Sequence, residues 1–289
     1  MITKINHPFF GPAGNSESFK EKGYKTNLQI PEYLNTFNLN AYEYQCGRGV
    51  KISEEAAKAF GLAAKEQNIT LSLHAPYYIS LSSESEETRL KSVEYILKSA
   101  IAANNMGADR IIVHSGSCAK MSREHALSLA KDTIKLSLKA LDDNNLSHIH
   151  ICPETMGKIN QLGTFEEVIS LCKMDQRLIP CIDFGHLYAR SLGVDQGQAF
   201  VNKCFDMLEN ELGEVRYKNF HVHFSKIEYT ENGGEKKHIK LNDTTFGPDY
   251  KPFIECVFKR NLTPRIICES DGTQAEDSKL MMDYYNNIN

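Results

Sequence analysis

No stretch of the 289-residue sequence approaches the roughly eighteen uninterrupted apolar residues that a membrane-spanning helix needs, so no membrane partner is expected. Basic charge is not in excess either. The 33 Lys and Arg against 37 Asp and Glu leave a formal net charge of -4. Such a chain has no global attraction to a phosphate backbone, and nucleic-acid binding has to come from a local basic patch. The cysteines Cys46, Cys118, Cys152, Cys172, Cys181, Cys204, Cys256 and Cys268 include no CxxC pair and no short-chain disulfide framework. They read as reduced, mostly buried thiols. The opening residues MITKINHPFF lack a basic region followed by a long apolar run, which gives the expectation of a cytoplasmic protein. No linker rich in Pro, Gly and Ser, no fixed-length repeat and no low-complexity tract divides the chain, and nothing in it demands an obligate protein partner.

What is present is an ordinary globular composition, 41% hydrophobic and 24% charged, in a length that one α/β barrel of about 250 residues can absorb. Short β-branched runs recur at residues 2–6, 40–45, 69–74, 110–114, 148–152, 178–183, 219–224 and 265–269. Helical segments separate them. Ser83-x-x-Glu86, Thr164-x-x-Glu167 and Thr273-x-x-Glu276 have the form of capping boxes, in which a hydroxyl and a carboxylate each satisfy a free backbone donor. After Ser83, Leu90, Val93, Leu97 and Ile101 recur at helical spacing, and Gly107 stands where a left-handed cap is wanted. Eight such alternations predict a single (β/α)₈ barrel over residues 1–289, with an open doubly wound sheet as the alternative. One connection breaks the rhythm. Residues 226–247 are too long for a turn and too polar for core, and Gly233-Gly234 suggests a hairpin tip that carries His238 back over the barrel mouth.

In a (β/α)₈ barrel the chemistry sits at the C-terminal ends of the strands. Here those ends carry His74, His114, Glu154, Asp183 with His186, His221 with His223, and Glu269. Each alone has a bland reading as a rim or core residue. Six consecutive strands ending this way is a different matter, because buried carboxylates without cationic partners are costly, and these are the donors that divalent ions accept. A multinuclear metal site is expected, with His223 as the ligand of its pair and His221 behind it or in the core.

The stretches LHAPYYISL, IIVHSG, PETMGKINQLGT, CIDFGHLYA, HVHFSK and ICES, between about residues 70 and 270, together resemble endonuclease IV, the zinc-dependent apurinic/apyrimidinic endonuclease family on the xylose-isomerase-like barrel. The resemblance implies cleavage of DNA on the 5′ side of abasic sites in base-excision repair, with two or three Zn²⁺ ions and Mn²⁺ as a further candidate. It implies His74, His114 and Glu154 for the first ion, Glu154, Asp183, His223 and Glu269 for the second, and His186 and His238 for the third. Glu154 is also the expected catalytic group, holding the attacking water. The sequence departs from the family at Lys236, where an aspartate ligand is usual. Glu235 or Asp243 substitutes, or the Lys236 ammonium takes over the catalytic charge of the third ion, or the site holds only two ions. Arg48, Tyr77, Lys226, Lys236 and Lys237 are the candidate DNA contacts. Two readings compete. A single-metal sugar isomerase or epimerase of the same superfamily would use only Glu154, Asp183, His223 and Glu269, and a metal-stabilised binding protein would use no catalytic group at all.

Overall fold

The computed structural model describes residues 7–194 and 196–288. Its strands are β1 (Phe9–Pro12), β2 (Ala41–Gln45), β3 (Thr70–His74), β4 (Arg110–His114), β5 (His150–Glu154), β6 (Cys181–Asp183), β7 (His221–Phe224), β8 (Lys226–Thr230), β9 (Gly234–Ile239) and β10 (Arg265–Cys268). Eight of them pair in the order β1-β10-β7-β6-β5-β4-β3-β2, and every pairing is parallel. The two ends of that sheet meet. Ala13 bridges to Glu43, and the Gly14 N–H donates to the Glu43 carbonyl at 3.0 Å, so the sheet closes into the expected (β/α)₈ barrel.

Parallel strands covered on both faces need apolar side chains on both. Ile111, Ile112, Val113, Ile151, Val222 and Ile266 meet that need, each without solvent exposure. The strand expected at residues 2–6 lies outside the described residues, and the barrel's first strand is instead Phe9–Pro12. Its FFGP sequence looks little like a strand, but Gly11 has a steric reason. A Cβ there would sit 1.9 Å from the Ala41 carbonyl oxygen of β2, so only glycine lets the seam close.

The helix starts are partly as read. Thr164 and Glu167 form a reciprocal capping box. Ser85, not Ser83, caps the helix Glu86–Asn105, and Thr273 uses its hydroxyl on Asp277 rather than on the backbone. Along Glu86–Asn105 the buried stripe is Ser92, Ile96, Ser99, Ala100 and Ala103, while Leu90 and Ile101 are exposed. Small side chains on that stripe let the helix lie close to its neighbours. Gly107 adopts the expected left-handed conformation, at φ 73°. All eight cysteines are buried and unpaired.

Between β7 and β10 the long connection folds as an antiparallel hairpin of β8 and β9. Its tip docks on the loop after β5, where the Glu235 N–H donates to the Gly157 carbonyl at 3.1 Å and the Ile159 N–H to the Gly233 carbonyl at 3.2 Å. The hairpin therefore stands beside the strand ends.

Candidate metal centre

His74, His114 and Glu154 close β3, β4 and β5, and Asp183 closes β6 while capping the helix Phe184–Arg190 through the His186 N–H. His223 lies on β7, and Glu269 follows β10 directly. The barrel brings these donors together in adjoining groups. His74, His114 and Glu154 offer ligand atoms within 4.8 Å of one another, as do Glu154, Asp183, His223 and Glu269, with Glu154 common to both. A further group joins His186 to Glu235 and His238 of the hairpin.

That last group explains the departure at Lys236. In a regular strand, residues three apart face opposite ways. The register of β9 pairs His238 with Ile227, Lys237 with Glu228 and Glu235 with Tyr229, leaving Lys236 as the extra residue of a bulge. Because Ile227 and Tyr229 share a face of β8, the bulge puts Glu235 and His238 on one face despite their spacing. Glu235 Oε2 lies 3.5 Å from His186 Nε2, and its Oε1 4.0 Å from His238 Nε2. Gly157 permits this approach, since a Cβ there would meet Glu235 Oε2 at 2.9 Å and His186 Cδ2 at 3.0 Å. The Lys236 ammonium is instead paired with Glu228 at 2.5 Å, and Asp243 accepts from the backbone of Thr245 and Phe246. Neither joins a donor group.

The ring orientations are set from outside the cluster. His74 Nδ1–H donates to the Ala75 carbonyl at 2.8 Å, and His186 Nδ1–H to the Thr155 carbonyl at 2.9 Å. His238 Nδ1 is 2.8 Å from the Ser225 hydroxyl. In each case the other ring nitrogen is left for the cluster, as expected where a tethered imidazole binds metal. Two carboxylate oxygens, Glu154 Oε2 and Asp183 Oδ2, are buried with no hydrogen-bond donor. Orphaned buried oxygens of this kind are costly, and among imidazoles and carboxylates a borderline divalent cation is the natural partner.

The electrostatics agree. Burial opposes ionisation of Glu154, but His223, His114 and His74 outweigh it and hold the carboxyl well below its usual range. Burial likewise opposes charging of His186, yet Asp183, Glu235 and Glu154 push its pKa up to about 9. His221 behaves differently, because burial pushes its pKa down to about 3 against the pull of Glu43. It lies deeper in the barrel, where Cys181, His221 and His223 form a further group of potential donors.

Above the donors opens a cleft of about 820 Å³. Arg48, Tyr77, Lys236 and Lys237 reach it, whereas Lys226 does not line it and gives its ammonium to the Asp243 carbonyl. Tyr77 stacks on His114 with ring centres 5.3 Å apart and planes inclined at 29°. A model of the xylose isomerase-like TIM barrel family matches residues 32–285. The chain belongs to that family. Within it, an uncharacterized protein of Methanocaldococcus jannaschii is 34% identical over 96% of this chain and 97% of its own. A probable endonuclease 4 of Methanosphaera stadtmanae is 30% identical over 65% of this chain and 68% of its own. Among solved structures, endonuclease IV from Thermus thermophilus superposes with a TM-score of 0.69 at 19% identity, covering 96% of this chain and 98% of that one. A D-tagatose 3-epimerase-like protein gives 0.66 at 20% identity, covering 89% and 92%. The resemblance to endonuclease IV carried by the sequence motifs is thus borne out, and the xylose isomerase-like barrel is an enzyme scaffold with both nuclease and epimerase neighbours.

Two residues of the site are not singled out by the sequence. Glu235 was only one of several options, and the bulge that selects it has no signature in the residue types. Glu43 lies in the middle of β2, away from the strand ends where donors were expected. It is fully buried, with His223 Nε2 at 3.0 Å from Oε1 and His221 Nε2 at 3.0 Å from Oε2. The alternation of β2 is the one signal that points to it, since it puts Glu43 across from Ser72 of β3.

Proposed function

We propose that the chain is a zinc-dependent phosphodiesterase of the endonuclease IV type, cleaving DNA 5′ to abasic sites. The observation that carries this reading is the group formed by His186, Glu235 and His238. An epimerase that works with one metal ion needs only Glu154, Asp183, His223 and Glu269, and has no use for the hairpin carboxylate or for His74 and His114.

Divalent ions held by these donors would supply Lewis-acid neutralisation of the phosphodiester and activate water at neutral pH. Glu154 is the pivotal side chain. Its Oε2 lies 3.5 Å from His74 Nε2 and 3.2 Å from His114 Nε2, while Oε1 lies 2.9 Å from His223 Nδ1. Its two oxygens thus face two donor groups, and it is the residue that would orient the attacking water and accept its proton. Arg48 and Lys237 line the cleft where phosphate oxygens would sit, and Tyr77, 58% exposed, offers a ring face to the gap left by a missing base. Lys236 adds charge at the rim rather than replacing a ligand.

The epimerase reading draws on the intact four-donor group around Asp183. The Glu154→Gln variant separates the possibilities. On the nuclease reading it retains affinity for abasic duplex and loses incision. Retained incision, or turnover of a ketohexose by the wild type without any incision, would overturn the proposal.

A further inference from the structure

The tethers that orient the cluster histidines are neutral for His74, His186 and His238, a backbone carbonyl or a hydroxyl in each case. For His223 the tether is a carboxylate from β2, three strands round the barrel, and its geometry is built in detail. Glu43 Oε1 accepts from His223 Nε2 at 3.0 Å and from Gln45 Nε2 at 3.2 Å. Glu43 Oε2 accepts from the Ser72 hydroxyl at 3.0 Å. His221 Nε2 stands 3.0 Å from the same Oε2 but off the line of a hydrogen bond, so that neither of its ring nitrogens has a hydrogen-bond partner. Glu43, His221 and His223 are all without solvent exposure.

A buried carboxylate on a barrel strand is expensive, and no cation from Lys or Arg contacts it among the described residues. Its position is explained by what it does to His223. Nε2 is committed to Glu43, so Nδ1 is the nitrogen turned to the donor group, where it hydrogen-bonds Glu154 Oε1 at 2.9 Å and lies 3.5 Å from Glu269, and it is the nitrogen from which an incoming cation would displace a proton. We infer that Glu43 is a positioning residue for the metal centre, fixing the tautomer and the ring plane of His223 so that it binds the second ion through Nδ1. A carboxylate behind a ligating histidine also raises the basicity of the ring, which a carbonyl does less strongly. The seam of the barrel serves this purpose. Glu43 is the residue whose backbone bridges to Ala13 and accepts from Gly14, so the closure of β1 on β2 sets the carboxylate's depth.

The inference rests on the proposed metal-dependent function, and its test distinguishes the two. The wild-type protein is labelled with ¹⁵N at histidine, loaded with zinc, and read by long-range ¹H–¹⁵N correlation, with His223→Gln assigning the ring. The expected result is a proton on Nε2 of His223 and a zinc-shifted Nδ1. A proton on Nδ1, with zinc on Nε2, would overturn the role of Glu43 while leaving the metal centre in place. No zinc binding at all would overturn the proposed function and this role together. Competition with a chromophoric chelator gives the second readout. Glu43→Leu removes the acceptor and is expected to weaken one zinc ion by roughly 10- to 100-fold, with the others unchanged. Glu43→Gln keeps an oxygen for His223 and an amide for Ser72, so it should recover most of that affinity. Melting of the metal-free variants confirms that each is folded. Folded Glu43→Leu with wild-type affinity for every ion contradicts the inference.

Discussion

Replacing Glu235 by Gln tests the proposed contribution of the hairpin to the candidate metal centre. The carboxylate stands 3.5 Å from His186 Nε2 and, with Asp183 and Glu154, works against burial to push that ring's pKa from 6.5 to about 9. At about 1.4 kcal/mol per unit, that displacement amounts to about 3 kcal/mol in favour of the imidazolium. Glu235 is the second strongest of the anions after Asp183, so its removal should lower the titration midpoint of metal-free His186 from about 9 toward the ordinary imidazole range. Histidine NMR of the metal-free protein reads that midpoint directly. In zinc titrations the same variant loses the anionic donor of a three-donor group. Loss of a group behind a ligand costs roughly 10- to 100-fold in affinity, so loss of the donor itself should weaken the third ion by roughly 100-fold or more. Lys236→Ala should leave the zinc count unchanged, because its ammonium is occupied by Glu228. If Lys236→Ala lost the third ion and Glu235→Gln kept it, the reasoning from the bulge would be refuted.

Further outcomes follow from the same geometry. With a folded pKa near 9 against 6.5 unfolded, His186 contributes stability to the metal-free protein that is fully present below about pH 6.5 and lost as pH rises through 9. Metal-free melting temperatures should fall across that window, while zinc affinity rises across it as the competing proton leaves; a flat profile in both would contradict the assignment. Gly157→Ala should lift the hairpin, since its Cβ would sit 2.6 Å from the Glu235 Cβ, giving one zinc ion fewer by elemental analysis with the barrel's circular dichroism intact. Tyr77→Ala should raise KM for abasic duplex by roughly 5- to 150-fold without changing zinc content, as a base-stacking contribution of roughly 1 to 3 kcal/mol implies. Unchanged KM would remove Tyr77 from the substrate-binding surface.

The fold was legible because a closed parallel barrel imposes buried, β-branched strands at regular intervals. Seven of its eight strands coincide with the apolar runs read from the sequence. The eighth, Phe9–Pro12, was not legible, because it includes a glycine and a proline, and the run read at residues 2–6 lies outside the described residues. Seam closure against Ala41 outweighs strand propensity there. The donors at strand ends were legible for a similar reason, because the barrel directs every strand's C-terminal end to one face. Glu43 was not, since it lies in the middle of β2 and works from below. Glu235 was legible only as one of several substitutes for the missing aspartate, because a single bulged residue changes which side chains share a face and the residue types do not announce it. Ser83 and Ser85 are two residues apart in a serine-rich entry to a helix, and local pattern alone does not choose between them.

The most direct measurement is incision of an end-labelled duplex carrying one abasic site, using zinc-loaded protein beside a chelator-treated sample. The account predicts a metal-dependent nick immediately 5′ to the lesion, leaving a 3′-hydroxyl and the deoxyribose phosphate on the downstream fragment. Intact duplex after incubation with protein shown to hold its zinc would contradict it.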